Sequence, residues 1–293
     1  MTYEVLLFYL YTPLDDTQEL ATRVRGLCEK LHLKGRIIIA TEGINATVEG
    51  LKEHTDEFVT EFMSDPRFAN INIKRSAGTG KTFPKLSVKV RDEIVGTRLP
   101  KDRINPAVKT APHLSPEELH TWYENKKDFV VVDMRNSYEI DSGRFAGSVD
   151  PGLRNSRDLP EAVEKLAPLK NKTVVTVCTG GVRCEKMSAY LLDQGFGEVY
   201  QLENGIHSYM EKYPGQNFLG TLYTFDGRVT MDFGGPRTVI GTCKLCGTST
   251  ERYINCGNLS CPHHFIACEG CAPHDRAAGC SSICQTQMQM QSS

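Results

Sequence analysis

One short stretch of this chain combines a nucleophile with the means to activate it: Val174-Val175-Thr176-Val177-Cys178-Thr179-Gly180-Gly181-Val182-Arg183-Cys184-Glu185-Lys186. The β-branched run predicts a buried strand that ends in Cys178, and a helix-like segment starts near Arg183. That order sets a thiol at a strand tip, over a loop of backbone N–H groups and the positive end of a helix. Such a setting stabilises the thiolate, the reactive form of cysteine. The span from Cys178 through Thr179, Gly180, Gly181 and Val182 to Arg183 is a small loop suited to a persulfide or another small anion. Its two glycines permit backbone conformations that a side chain forbids. Arg183 either holds the thiolate or a substrate anion with its forked donors, or serves as a structural helix-start residue. Cys184 is either a packing residue or a resolving thiol beside Cys178. A cysteine ending a buried strand can also be a plain small hydrophobe, but Gly-Gly-Val-Arg directly after it favours chemistry.

A second group of cysteines lies near the C-terminus. The chain has 11 cysteines, and eight of them form four pairs: Cys243-x2-Cys246, Cys256-x4-Cys261, Cys268-x2-Cys271 and Cys280-x3-Cys284. These spacings match two tetrahedral sulfur sites, with zinc the default metal. Pairing is sequential or crossed, and His263, His264 or His274 could replace a thiol. Four thiolates leave no open coordination position, so the sites are read as structural, in a module that needs its metal to fold. Cys28 stands alone on the apolar side of a predicted helix and is read as core.

Cysteine use of this kind fits a reducing compartment. The apolar N-terminal run Val5–Tyr11 lacks the basic flank and cleavage site of a signal peptide, and no apolar run is long enough to span a bilayer. The expected location is the cytoplasm, with no membrane partner.

Net charge is −2 overall, but the segment from Lys74 to Lys109 holds ten basic and three acidic residues, 10 − 3 = +7. Within it Lys74, Arg75, Lys81, Lys85, Lys89 and Arg91 are candidates for gripping RNA phosphates, against the alternative of an ordinary solvated surface. Ser76-Ala77-Gly78-Thr79-Gly80-Lys81-Thr82 superficially matches a phosphate-binding loop. Arg75 stands where the first glycine is required and Phe83-Pro84 where a helix should begin, so it is rejected as a nucleotide site.

The elements that must carry these residues follow from periodicity. In residues 1–96, strands are expected at Tyr3–Leu10, Arg36–Ala40, Ala46–Glu49, Ile71–Lys74 and Leu86–Val90. Helices are expected at Asp15–Leu33 and Leu51–Met63. The order βαββαβ suggests a ferredoxin-like domain. Residues 97–112, proline-containing and aperiodic, read as a linker. Residues 113–218 alternate strands (Phe129–Val132, Thr173–Val177, Glu198–Gln201) with helices (Pro160–Ala167, Arg183–Gln194, Ile206–Lys212), an α/β pattern with a mostly parallel sheet. Ligand sites in such sheets lie beyond the carboxyl ends of the strands, where Cys178 sits. Residues 219–284 form the cysteine-rich module, and residues 285–293 read as a disordered tail. The whole is an α/β and α+β multidomain chain.

Residues 113–215 resemble a rhodanese domain. Asp133-Met134-Arg135 looks like its Asp-x-Arg element, a pair read as bracing the loop. Gly143-Arg144-Phe145-Ala146-Gly147-Ser148 looks like its Gly-His-Ile-x-Gly-Ala element, with Arg144 where histidine is usual. Leu202-Glu203-Asn204-Gly205-Ile206 looks like the start of its final helix. The run Cys178–Lys186, taken with Glu42-Gly43-Ile44-Asn45-Ala46-Thr47, resembles the rhodanese-like tRNA uridine hydroxylase family over about residues 1–240. Ala46 stands where that family usually has glycine, and Val182 where it has isoleucine. The resemblance implies oxygen-dependent 5-hydroxylation of the wobble uridine of tRNA, with molecular oxygen as co-substrate and Cys178 as the reactive cysteine. Two rivals remain open on sequence grounds. One is a sulfurtransferase carrying a persulfide on Cys178; the other is a non-catalytic zinc-bearing adaptor.

Overall fold

The computed structural model describes residues 2–291. The first domain comprises β1 (Tyr3–Tyr11), α1 (Thr17–Lys30), β2 (Lys34–Ala40), β3 (Gly43–Leu51), α2 (Lys52–Met63), β4 (Ile73–Ala77) and β5 (Leu86–Val90). Strand alternation sorts its faces: Leu6 and Phe8 point to one side of β1, Leu7 and Tyr9 to the other. The first side packs on the apolar faces of α1 and α2, burying Leu20, Val24, Leu27, Cys28, Phe58 and Phe62. β4-β1-β3-β2 is the antiparallel ferredoxin-like order expected from βαββαβ. The fifth expected strand, β5, lies parallel to β2 at the far edge. The loop from β4 to β5 therefore has to cross the sheet from one edge to the other.

The second unit contains β6 (His113–Leu114), α3 (Pro116–Glu124), β7 (Val130–Asp133), α4 (Ser137–Ile140), β8 (Gly143–Phe145), α5 (Leu159–Lys165), β9 (Thr173–Val177), α6 (Val182–Asp193), β10 (Glu198–Leu202) and α7 (Gly205–Lys212). Its sheet is all parallel, in the order β6-β10-β9-β7. Near-continuous apolar strands fit a sheet covered on both faces. Val132, Val174, Met187 and Leu191 build one core with α5 and α6. Val131, Val175, Ile206 and Tyr209 build the other with α3 and α7. The expected linker is no solvated strap, because Leu99, Ile104 and Ala111 are buried in the α5/α6 core.

Beyond these lie β11 (Phe218–Gly220), paired with β8, the hairpin β12 (Leu222–Tyr223) and β13 (Thr230–Met231), the pair β14 (Tyr253–Asn255) and β15 (His264–Ile266), and α8 (Ser282–Gln291). The tail expectation is corrected over residues 285–291, which continue α8. Gln and Met are good helix formers, and the helix is tied down where Asn258 donates to Gln287 Oε1 at 2.5 Å and Gly279 N–H donates to Gln285 Oε1 at 2.8 Å. The remaining two residues of that expectation, 292–293, lie outside the described residues. Among the described residues, no helix is long and apolar enough to cross a membrane.

Candidate active site

β9 ends at Val177 in the middle of the parallel sheet, and Cys178 follows with no exposed surface. Its Sγ accepts the Gly181 N–H at 3.2 Å. The loop is shaped from outside. Ile206 and His207, at the start of α7, donate their N–H groups to the carbonyls of Cys178 and Thr179 at 2.9 and 3.0 Å. Gly181 has φ +101°, and a Cβ there would lie 2.6 Å from Tyr9 Oη. Gly205 has φ +72°, and a Cβ there would lie 2.5 Å from the Cys178 carbonyl oxygen. Both positions therefore require glycine.

Burial by itself would push the Cys178 thiol up. It is outweighed by the hydrogen bond from the Cys184 thiol, the Arg183 charge, and the N–H groups of Cys184 and Arg183. Together they lower Cys178 from 9.0 to about 6. Cys184 moves the other way, pushed well above its ordinary value by burial and by the neighbouring Cys178.

Arg183 is not a free anion hook. Its guanidinium makes two bonds to Glu139, 2.6 Å to Oε1 and 2.9 Å to Oε2, and a third to Thr179 Oγ1 at 3.2 Å. Glu139 is fully buried. The other face of the guanidinium lies 5.4 Å from the Phe225 ring centroid. Asp133 and Arg135 form an ion pair of their own. They are fully buried, bonded through Nε at 2.9 Å and Nη2 at 2.6 Å, and Arg135 also donates to the carbonyls of Glu139 and Gly143.

The uncovered face of the first sheet closes over this loop. Tyr9 Oη donates to Glu185 Oε1 at 3.0 Å, and Tyr11 Oη to the Val182 carbonyl at 3.1 Å. Lys186, buried, reaches Glu42 Oε1 and Glu93 Oε2, each at 2.8 Å. Glu42 also accepts the Ile94 N–H at 2.8 Å, and Asn45 Nδ2 donates to the Ile94 carbonyl at 3.2 Å. The two stretches that carried the sequence resemblance are thus in direct contact through Glu42 and Lys186.

Between the sheet and the loop lies a cavity of about 540 Å³, within the range of small-molecule sites. Thr179, Gly180, Val182 and Arg183 line it on the loop side, and Leu7, Tyr9, Ile38, Asn45 and Thr47 on the sheet side. His207 and Phe225 complete the wall. His207 is buried, with Nδ1 3.4 Å from Glu211 Oε2, close enough for an ion pair though out of line for a hydrogen bond. Phe225 is 47% exposed, an aromatic face at the cavity mouth. Its turn is fixed to the first domain, since Arg228 bonds Asp226 and Ser76 Oγ, and Gly227 N–H donates to the Thr82 carbonyl.

Three domain families match in succession. Residues 3–94 match a UPF0176 acylphosphatase like domain, residues 115–212 a Rhodanese-like domain, and residues 219–285 a Rhodanase C-terminal domain. The chain is similar to proteins named tRNA uridine(34) hydroxylase over nearly its whole length. That of Cytophaga hutchinsonii is 41% identical over 97% of this chain and 90% of the relative. That of Corynebacterium jeikeium is 41% identical over 94% and 92%, and that of Staphylococcus carnosus 40% identical over 94% and 92%. The chain belongs to the tRNA uridine(34) hydroxylase family.

In this family member the basic segment divides. Lys74 does not face solvent: it is buried, and its Nζ donates to the Gly180 carbonyl at 3.1 Å. Burial lowers it to about 8, partly offset by the negative charges of Cys178, Glu211 and Glu203. Arg75 is paired to Glu4 and Asp56, both at 2.6 Å. Lys81, Lys85, Lys89 and Arg91 are exposed. The glycine-rich stretch at 76–82 cradles an anion after all, but an internal one. The buried Glu49 carboxylate accepts the N–H groups of Thr79, Gly80 and Thr82 at 2.7–2.9 Å.

The eight C-terminal cysteines converge in crossed pairs. Cys243, Cys246, Cys268 and Cys271 form one group, and Cys256, Cys261, Cys280 and Cys284 the other, each with its sulfurs within 4.8 Å of one another. Sulfur–sulfur separations of 3.6 Å for Cys246–Cys268 and 3.7 Å for Cys261–Cys280 and Cys280–Cys284 match the edge of about 3.8 Å of a ZnS4 tetrahedron with 2.3 Å bonds. Both groups could hold a metal ion, and the donor set is compatible with zinc. The groups of four are all cysteine: His263 Nδ1 lies 3.7 Å from Cys280 Sγ but outside the group, His264 bonds Tyr223 Oη at 2.9 Å, and His274 the Asp275 carbonyl.

Glu139, His207, Phe225 and Glu93 were not singled out from sequence. Faint signals existed. Glu139 has capping-box spacing from Asn136, His207 follows Gly205 at a helix start that must face the loop, and Phe225 precedes an Asp-Gly turn.

Proposed function

We propose that this protein hydroxylates C5 of the wobble uridine of tRNA in the cytoplasm, with molecular oxygen as co-substrate and Cys178 as nucleophile. The supporting observation is a single-nucleotide-sized cavity between the first sheet and the Cys178 loop, in a chain about 40% identical to tRNA uridine(34) hydroxylases. The uridine flips out of its stack into the cavity, and its base rests on Phe225. The Cys178 thiolate forms a bond to C6, and the C5=C6 electron pair moves towards C5. C5 then takes one atom of dioxygen. The other leaves as water, using two electrons and two protons from an external reductant. His207, backed by Glu211, accepts the C5 proton, and the C6–S bond breaks to restore the ring. Because Cys178 has no exposed surface, a small shift of the Gly180–Gly181 backbone is part of this reading. Two structural zinc ions, one in each group of four cysteines, would hold the C-terminal module together without touching the reaction.

The test is mass analysis of nucleosides from unmodified tRNA incubated with the protein and a thiol reductant, in air and under nitrogen. Air-dependent 5-hydroxyuridine that disappears in Cys178→Ala is the expected result. Full hydroxylation by Cys178→Ala would end the nucleophile assignment. Thiosulfate-to-cyanide sulfur transfer without any change in tRNA would favour the sulfurtransferase.

A further inference from the structure

The guanidinium groups of Arg36, Arg98, Arg144 and Arg157 have no hydrogen-bond or ion-pair partner among the described residues. Three of these four, Arg36, Arg98 and Arg157, line the one cavity beside the Cys178 loop. They come from three different places: strand β2, the segment joining the domains, and the turn just before α5. All three are exposed. The other arginines of the cavity wall are neutralised, Arg183 by Glu139 and Arg228 by Asp226. An unmatched triad of arginines around a cavity of nucleotide size is a site for anions, since the guanidinium fork fits phosphate oxygens.

The backbone fixes one of them firmly. Arg98 has φ +56°, a conformation a non-glycine residue adopts only when its surroundings impose it. Glu93 imposes it, accepting the N–H groups of Thr97 and Arg98 and the Thr97 hydroxyl, while Lys186 holds Glu93 from the other side. The position of Arg98 is therefore tied to α6, the helix that begins at the reactive loop.

We propose that Arg36, Arg98 and Arg157 clamp the RNA backbone phosphates flanking the nucleotide that enters the cavity, so that the sugar–phosphate chain runs around the rim while the base goes in. This rests on the reading of the cavity as a nucleotide site. It transfers the RNA-gripping role from Lys74 and Arg75, which are internally engaged, to Arg98 of the same basic segment and to Arg36 and Arg157 outside it.

The experiment measures the affinity of an anticodon stem-loop RNA as a function of monovalent salt, for the full-length metal-loaded protein and for Arg36→Gln, Arg98→Gln, Arg157→Gln, the triple variant, and Arg144→Gln as control. Each single-strand phosphate contact contributes about 0.7 to the slope of log K against log salt. Each single variant should therefore lower the slope by about 0.7 and weaken binding about fivefold at 0.1 M salt, the triple about a hundredfold. Arg→Lys variants should keep most of the slope. Hydroxylation at saturating RNA should keep its kcat while KM rises. An unchanged slope in the triple variant, or an equal loss in Arg144→Gln, overturns the clamp. The two readings fail separately. A wild-type protein that makes 5-hydroxyuridine while the triple variant keeps its slope sinks the clamp alone. A wild-type protein that binds RNA without hydroxylating it, with slopes falling as stated, sinks the reaction alone.

Discussion

Replacing Cys184 by alanine removes one hydrogen-bond donor from Cys178 and almost nothing else, since both side chains are small and fully buried. Among the effects that lower Cys178, the Cys184 bond is the largest, ahead of the Arg183 charge. A hydrogen bond to a charged group contributes about 1.5–3 kcal/mol, which is about one to two pKa units. Cys178→thiolate conversion centred at about 6 should therefore move to roughly 7–8 in Cys184→Ala. At pH 7 the wild-type thiol is about nine-tenths ionised, and the variant between about a tenth and a half. The assay is the pH dependence of Cys178 carbamidomethylation by a small reagent, followed on the peptide by mass spectrometry. Cys184, pushed well up, stays unreactive in that window. Cys184→Ser, which retains a donor, should keep the low inflection. The same shift has a stability counterpart with a defined sign. A depressed thiol favours the native state most above its ordinary value of 9.0, and the contribution is lost as pH falls through about 6. Superimposable alkylation profiles for wild type and Cys184→Ala, or a wild-type inflection near 9, would refute the argument that this pair sets the reactivity.

Glu139→Gln leaves the Arg183 charge unmatched in a buried place, and urea unfolding should show a loss of about 3–5 kcal/mol; a change under 1 kcal/mol would mean that the pair is not buried as described. Metal analysis should find two equivalents of zinc per chain, and a strong chelator should abolish amide protection in β14, β15 and α8 while β1–β5 keep theirs. Cys280→Ser should lower the content by one equivalent, and retention of both would disprove its membership. Phe225→Ala should weaken productive tRNA binding by about 1–3 kcal/mol, five- to 150-fold in KM, with Phe225→Trp close to wild type; an unaffected KM would remove the stacking role.

What could be read in the sequence was local. The Cys178 loop spans six residues, and its strand, glycines and helix start are all specified within that window, so the geometry around the thiol was legible. The strands and helices of the first domain were legible from their periods, including the face of β1 on which Leu7 and Tyr9 lie. What covers that face was not, because strand alternation separates two sides without saying which meets water. Lys74 illustrates the point. It reads as one more cation in a basic run, yet its place on the covered face buries it against Gly180. Arg183 gave no hint that its counter-charge lies 44 residues earlier at Glu139. The tail was misjudged by composition alone, since its helix begins at the turn that supplies Cys284 to a sulfur cluster.

The junction also explains why two separated stretches of sequence together identify the family when neither would alone. Glu42-Gly43-Ile44-Asn45 contributes no side chain that bonds Cys178 directly. Its carboxylate and amide instead hold Ile94 and Lys186. Lys186 lies two residues beyond Cys184 on α6, and its second partner, Glu93, folds the turn that presents Arg98. One buried ammonium between two carboxylates therefore links the reactive loop, the first domain and the cavity rim. Breaking one partner leaves charge uncompensated in a buried place, which is far more costly than losing an exposed pair. This contact holds the two domains together beside the cavity, alongside the bonds of Tyr9, Tyr11 and Lys74. A rhodanese loop on its own could activate the same thiol for sulfur transfer; under the proposed function, the arginine-rimmed cavity between that loop and the first sheet is what admits a nucleotide instead.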